Sequence, residues 1–215
     1  MVQPWRFQDL CVSLEAAGLL VPVDASDAAA LVLPSHPLGR VFARASSWHL
    51  HVRVGRLNDL PPGWIRHTGA AAVFERPEFV EYEVPGAGIA VSFSTGRIAA
   101  DDRDGASSPR KTPRLDHVGF DFDAAAAGLL DEARTTAAAM GWRTVVQGGP
   151  GRTVRCCFAE VARKVWLYPA GDQHVPRFAA ELACGEINRD CPDMGDDLRP
   201  EWPGTADQAG CCGGG

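Results

Sequence analysis

RLDHVGFDFDAAAAGLLDEARTTAAAMGWRTVVQ, residues 114–147, decides the fold. RLDHVGFDF (114–122) is apolar and reads as a strand. Asp123 follows as an N-cap, and Ala126, Leu130, Ala133, Ala137 and Met140 then recur on one helical face. Gly141 stands at C′, where a left-handed backbone ends a helix. WRTVVQ (142–147), RTVRCCFAE (152–160) and KVWLYPAG (164–171) follow as strands, the first two joined by the QGGPG turn. A short, poorly marked strand lies around HVPRFAAEL (174–182). The order is β-α-β-β-β.

Upstream, the pattern runs in the same order. WHLHVRV (48–54) alternates, which puts His49 and His51 on one face and Leu50 and Val52 on the other. NDLPPGWIRHTGAA (58–71) permits a short helix that Asp59 could cap and that Pro61, Pro62 and Gly63 weaken. FVEYEV (79–84) and GIAVSFS (88–94) pair across the Pro85–Gly88 turn. The polar, turn-rich residues 99–113 read as a linker. The expected organisation is an N-terminal extension (1–47), a first, degenerate module (48–98), a linker (99–113), a second module (114–182) and a disordered tail (183–215). Within the extension, QDLCVSLEAAGLL (8–20) has helical spacing that places Cys11 in a core. LVL (31–33) and GRVFARA (39–45) read as short strands.

Composition narrows the function classes. The 215 residues are 46% hydrophobic and 22% charged, as in globular proteins, with a net charge of −6 that argues against nucleic acid as a partner. No apolar run is long enough to span a bilayer, and residues 1–20 lack the pattern of a signal peptide. A cytoplasmic location with reduced thiols is expected, and the odd count of seven cysteines argues against a disulfide framework. There is no P-loop, GxGxxG fingerprint, GxSxG elbow or HExxH. His36 and His67 lie in turn-like polar surroundings and read as surface residues.

Each module opens on a strand with a histidine, LHV (50–52) and DHV (116–118). Under pseudo-symmetry His51 and His117 are equivalent and converge on one metal. Two imidazoles and a carboxylate suit Fe(II) oxygen chemistry or a Lewis-acid ion. A lone strand histidine is more often structural, and it is the paired placement that brings the ligand reading level with that one. The adjacent Cys156 and Cys157 point to opposite faces of a regular strand, which leaves Cys156 packing beside Val154 and Phe158. Joint chelation of a soft ion requires a bulge there. Gly151 permits one, and Arg152 and Arg155 favour the thiolate. Cys211 and Cys212, in CCGGG, have no core to join and form either a tethered thiol pair or compositional drift. Cys184 and Cys191 are too far apart for a usual zinc half-site.

RLDHVGFDF, the alanine-rich helix, CCFA, KVW and the P-x-G at 169–171 together resemble the arsenic-inducible and cadmium-induced branch of the vicinal oxygen chelate (glyoxalase/bleomycin-resistance) superfamily. LHV (50–52) and RPEFVEYEV (76–84) are similar to that branch in part, so the resemblance covers about residues 50–182. It implies an α+β cup of two βαβββ modules around a metal. It also implies Fe(II)- and dioxygen-dependent cleavage of the carbon–arsenic bond of trivalent organoarsenicals. His51 and His117 match its histidine ligands, and Cys156 and Cys157 its substrate thiols. The branch's WEVY strand, which supplies a glutamate ligand, is missing after YPAG. His174 falls nearest the expected place for a third ligand, and Glu181 lies further along. Fe(II), or another divalent ion, is the expected cofactor. The expected partner is a small organoarsenical or a soft metal ion, with neither nucleic acid nor membrane. The competing readings are a non-catalytic thiol protein that sequesters As(III), Cd(II) or Hg(II), with Cys211 and Cys212 as accessory thiols, and a generic small-molecule enzyme or binder of the superfamily.

Overall fold

The computed structural model describes residues 2–95, 113–155, 160–169 and 178–188. Three helices come first: α1 (Pro4–Ala16), α2 (Pro22–Leu31) and α3 (Gly39–Phe42). Strand β1 (Ser47–Arg53) leads through a 3-10 turn (Leu57–Asp59) to α4 (Gly63–Thr68), then β2 (Ala71–Arg76), β3 (Phe79–Val84) and β4 (Ile89–Ser94). Strand β5 (Arg114–Phe122) leads to α5 (Ala127–Ala139), then β6 (Arg143–Gly148), the two-residue β7 (Val154–Arg155), β8 (Glu160–Tyr168) and β9 (Ala179–Asn188).

The described strands form one sheet in the order β2-β3-β4-β1-β5-β9-β8-β6, with β7 on β8. Each half repeats one topology. The first strand lies parallel to the last (β1 on β4, β5 on β9), and an antiparallel meander runs outward from there, the short β7 aside. The halves meet where β1 pairs antiparallel with β5. The fold is α+β, two βαβββ modules joined through their first strands into a curled sheet, as the resemblance implied. Helix α4 follows Pro62, runs for only six residues and ends at the left-handed Gly69, whereas α5 runs for thirteen.

Alternation divides the sheet into two faces. Leu50, Val52, Val91, Phe93, Val118 and Phe120 are buried in the core beneath the helices, while His49, His51, Ser92, His117 and Glu181 line the opposite, concave face.

The N-terminal segment departs from expectation. LVL (31–33) closes a helix and GRVF (39–42) forms another, where strands were predicted. Apolar runs this short carry no period that separates strand from helix. In α1, Phe7, Leu10, Cys11 and Leu14 recur at helical spacing and are buried. Phe42 stacks on Phe120 of β5 with centroids 3.9 Å apart, and Trp48 packs edge-on to Phe7 and Phe120. Residues 1–47 thus share the core of the two modules. Burial pushes the Cys11 thiol up to about 12, against a smaller lowering by its own backbone, which makes it an inert core residue. At the other end β9 continues to Asn188, so residues 183–188, expected in the tail, belong to the sheet. Among the described residues no helix is long and apolar enough to cross a membrane.

Candidate metal centre

The site is built by register. One row across the sheet pairs His49 of β1 with Gly119 of β5, and Gly119 with Glu181 of β9. The next row pairs Ser92 of β4 with His51, and His51 with His117. His49, His117 and Glu181 therefore stand diagonally about Gly119 on the concave face. His49 Nε2 lies 3.2 Å from His117 Nε2, and His117 Nε2 lies 3.1 Å from Glu181 Oε2. Three ligand atoms, one from each residue, fall within 4.8 Å of one another. Two imidazole nitrogens and one carboxylate oxygen at that separation fit a divalent first-row ion with positions left open.

Asp116 prepares His117. Regular alternation would send neighbouring side chains to opposite faces. The β1–β5 register shifts between His51 and Val52, and Asp116 is the residue with no cross-strand partner. A bulge of this kind re-aims a side chain. The Asp116 Oδ2 oxygen lies 2.9 Å from His117 Nδ1, while Arg53 Nε lies 3.6 Å from Oδ1. A proton held on Nδ1 by this wholly buried carboxylate would leave the Nε2 lone pair facing His49 and Glu181.

His49 is anchored from the rim. Its Nδ1 lies 3.8 Å from Asp121 Oδ2, and that carboxylate also accepts a 2.6 Å hydrogen bond from Ser47. Burial pulls the His49 imidazole toward the neutral form. The nearby Asp121 carboxylate and the charges of Glu181 and Glu81 outweigh it and push the pKa up to about 9. Burial likewise opposes ionisation of Asp121, and His49, Ser47 and Lys164 together hold that carboxyl below its ordinary range.

Of the residues nominated from sequence, His51 and His117 are register partners with ring centroids 4.8 Å apart. His51 belongs to a second group, with Asp116 and His117, and its Nε2 is 2.8 Å from Ser94 Oγ. The Arg53 cation beside Asp116 opposes a metal ion in that group. Glu181, the further of the two third-ligand candidates, faces His117. His174, Cys156, Cys157, Cys211 and Cys212 lie outside the described residues. Sequence reasoning placed His49 on the same face as His51 without nominating it. The usable signal was H-x-H in an alternating strand, which offers two candidates for one site.

Gly119 makes the arrangement possible. A Cβ there would sit on the ring of His49. Gly119→Ala is expected to drive the His49 ring off β5 and to weaken divalent-ion binding at least about ten-fold, the range for disturbing a ligand's support. Calorimetric titration with Mn(II) checks it, and unchanged affinity would mean that His49 is not a ligand.

The triad opens into a cavity of about 920 Å³ that is also lined by His51, Phe74, Arg76, Glu81 and Asp121.

No family model and no curated protein matches the chain. Among solved structures it is similar to methylmalonyl-CoA epimerase from Mycobacterium tuberculosis, at 15% identity and TM-score 0.40, over 66% of this chain and 89% of that one. It is also similar to homoprotocatechuate 2,3-dioxygenase from Brevibacterium fuscum in complex with 3,4-dihydroxyphenylacetate, at 12% identity and TM-score 0.40, over 69% of this chain and 40% of that one. The match therefore spans well under half of the dioxygenase. The fold assignment rests on the strand order and registers given above.

Proposed function

We propose that the protein is a divalent-metal-dependent enzyme that holds its ion with His49, His117 and Glu181. The single observation that carries this reading is the convergence of two imidazole nitrogens and one carboxylate oxygen at the mouth of a cavity. Bound Fe(II) would supply Lewis acidity and the capacity to activate dioxygen. The chain's own residues set the conditions. Asp116 fixes the tautomer of His117, Gly119 makes room for His49, and the core beneath the sheet keeps the first strands rigid. His51, buried on the same face beside His117, holds a polar ring against the cavity without entering the triad.

The substrate we propose is a trivalent organoarsenical held by Cys156 and Cys157, a reading supported by the resemblance of CCFA and KVW rather than by geometry. Trivalent arsenic is soft and thiophilic, and a dithiolate beside the triad would bring its organic group to the metal.

The test is anaerobic loading with Fe(II), then aerobic assay of methylarsenite for release of arsenite. Release that disappears in Cys156→Ser supports the full reading. Iron binding without release leaves a metal enzyme of another substrate. Tight As(III) or Cd(II) binding without iron binding makes the protein a thiol sequestrant.

A further inference from the structure

Behind Glu181 lies a lysine with no exposed surface. Lys164, on β8, projects from the concave face next to Trp166, whose Cα partner across β8–β9 is Glu181. Its Nζ stands 2.7 Å from Glu181 Oε1 and 5.4 Å from the centre of the Trp166 ring. The indole is fixed in turn, donating from Nε1 to Gln147 Oε1 at 2.8 Å. The two carboxylate oxygens of Glu181 thus face different groups, Oε1 the lysine and Oε2 the imidazole of His117.

Burying an ammonium ion is costly unless a partner compensates, and a lone carboxylate among two imidazoles would need no such partner if its charge served the metal alone. We propose that Lys164 is a positioning residue that withholds Glu181 Oε1 from the metal. It limits the carboxylate to one donor oxygen and offsets its charge, so that affinity is sacrificed for open coordination positions and a more electrophilic ion. The inference rests on the metal site proposed above and concerns the chemistry of that site, not its location. The His51–Asp116–His117 group has Arg53 against it, and the acidic residues around the cavity mouth carry no observation that points to a ligand.

The experiment is Co(II) titration of the full chain and of two variants, read by calorimetry and by visible d–d absorption, whose intensity falls as coordination number rises. Lys164→Met keeps an unbranched side chain only one atom shorter and removes both charge and donor. Glu181 then becomes free to bind through both oxygens, with Co(II) bound at least about ten-fold tighter and a weaker visible band. Lys164→Gln keeps a donor toward Oε1 and loses the charge, so it is expected to bind Co(II) more tightly with a band like that of the unmodified chain. If Lys164→Met does not fold, the affinity of Lys164→Gln decides alone. Unchanged affinity in the variants would make the lysine a spectator of the metal, and weaker binding would make it an organiser of the ligand set; either outcome overturns the proposal and leaves the metal site standing. If no chain, altered or not, binds Co(II), the metal site falls and the proposal with it.

Discussion

His117→Ala is expected to weaken Fe(II), Mn(II) or Co(II) binding by at least about a hundred-fold, beyond the ten- to hundred-fold typical of losing an outer partner. Three effects add up in this one residue. Its Nε2 is the donor nearest both other members of the triad, 3.2 Å from His49 Nε2 and 3.1 Å from Glu181 Oε2. Its Nδ1 is the group to which Asp116 is turned by the bulge, so alanine leaves a buried carboxylate without its imidazole. Its ring also fills the space between His51, His49 and Trp166, with centroids 4.8 to 5.3 Å away. Asp116→Asn should lose only about ten-fold, because it disturbs orientation and keeps the donor. The informative comparison is His49→Ala with His51→Ala. The geometry proposes His49 as the ligand and gives His51 a bond to Ser94 instead, so His49→Ala should approach the His117→Ala loss while His51→Ala keeps most of the affinity. Titration of all four variants with Mn(II) checks the order. A larger loss at His51 than at His49 would move the site to the deeper group.

The two-module fold was legible because period and punctuation agree in 114–147. A short, largely apolar strand that is buried along most of its length, a helix with one apolar face and a glycine at its end all point the same way. What could not be read was register. Alternation says that His49 and His51 share a face, and only the pairing of β1 with β5 says which of them lies beside Gly119 and Glu181. The bulge that turns Asp116 onto His117 is likewise invisible in DHV, since it depends on how two distant strands meet. Strand β9 was poorly marked because FAAELACGEIN is made largely of small residues. They pack well in the centre of a sheet while carrying little strand propensity of their own. Glu181 was in view only as the residue beyond His174 in the segment where the resemblance expects a third ligand; its burial and its partners, His117 and Lys164, come with the fold. In the N-terminal segment, Ala25, Ala28 and Leu31 give α2 a buried stripe too short and too alanine-rich to announce itself.

Trp48→Ala should destabilise the chain by about 3–5 kcal/mol, a large part of the 5–15 kcal/mol of a typical domain. Trp48 stands where the N-terminal helices meet the sheet. It is 1% exposed, edge-on to Phe7 of α1 at 5.5 Å and to Phe120 of β5 at 5.9 Å, and its indole Nε1 donates to the Phe42 carbonyl at 3.1 Å. Alanine would leave a cavity between Phe7 of α1 and the stacked Phe42–Phe120 pair, and the loss follows from how little these buried rings can close over it. Trp48→Phe separates packing from hydrogen bonding. The Phe42 carbonyl also accepts from the Ala45 amide at 3.1 Å, so it keeps a partner, and the expected loss is only about 1 kcal/mol. Trp5, on the same α1 but 54% exposed, is the control, and its alanine variant should stay within about 0.5 kcal/mol of the unmodified chain. Urea unfolding followed by circular dichroism measures all three. A small effect of Trp48→Ala would mean that residues 1–47 form a detachable appendage. The expected large effect means that removing them exposes Phe120 to water, so that β5 loses part of the floor beneath the strand pair that carries His49 and His117.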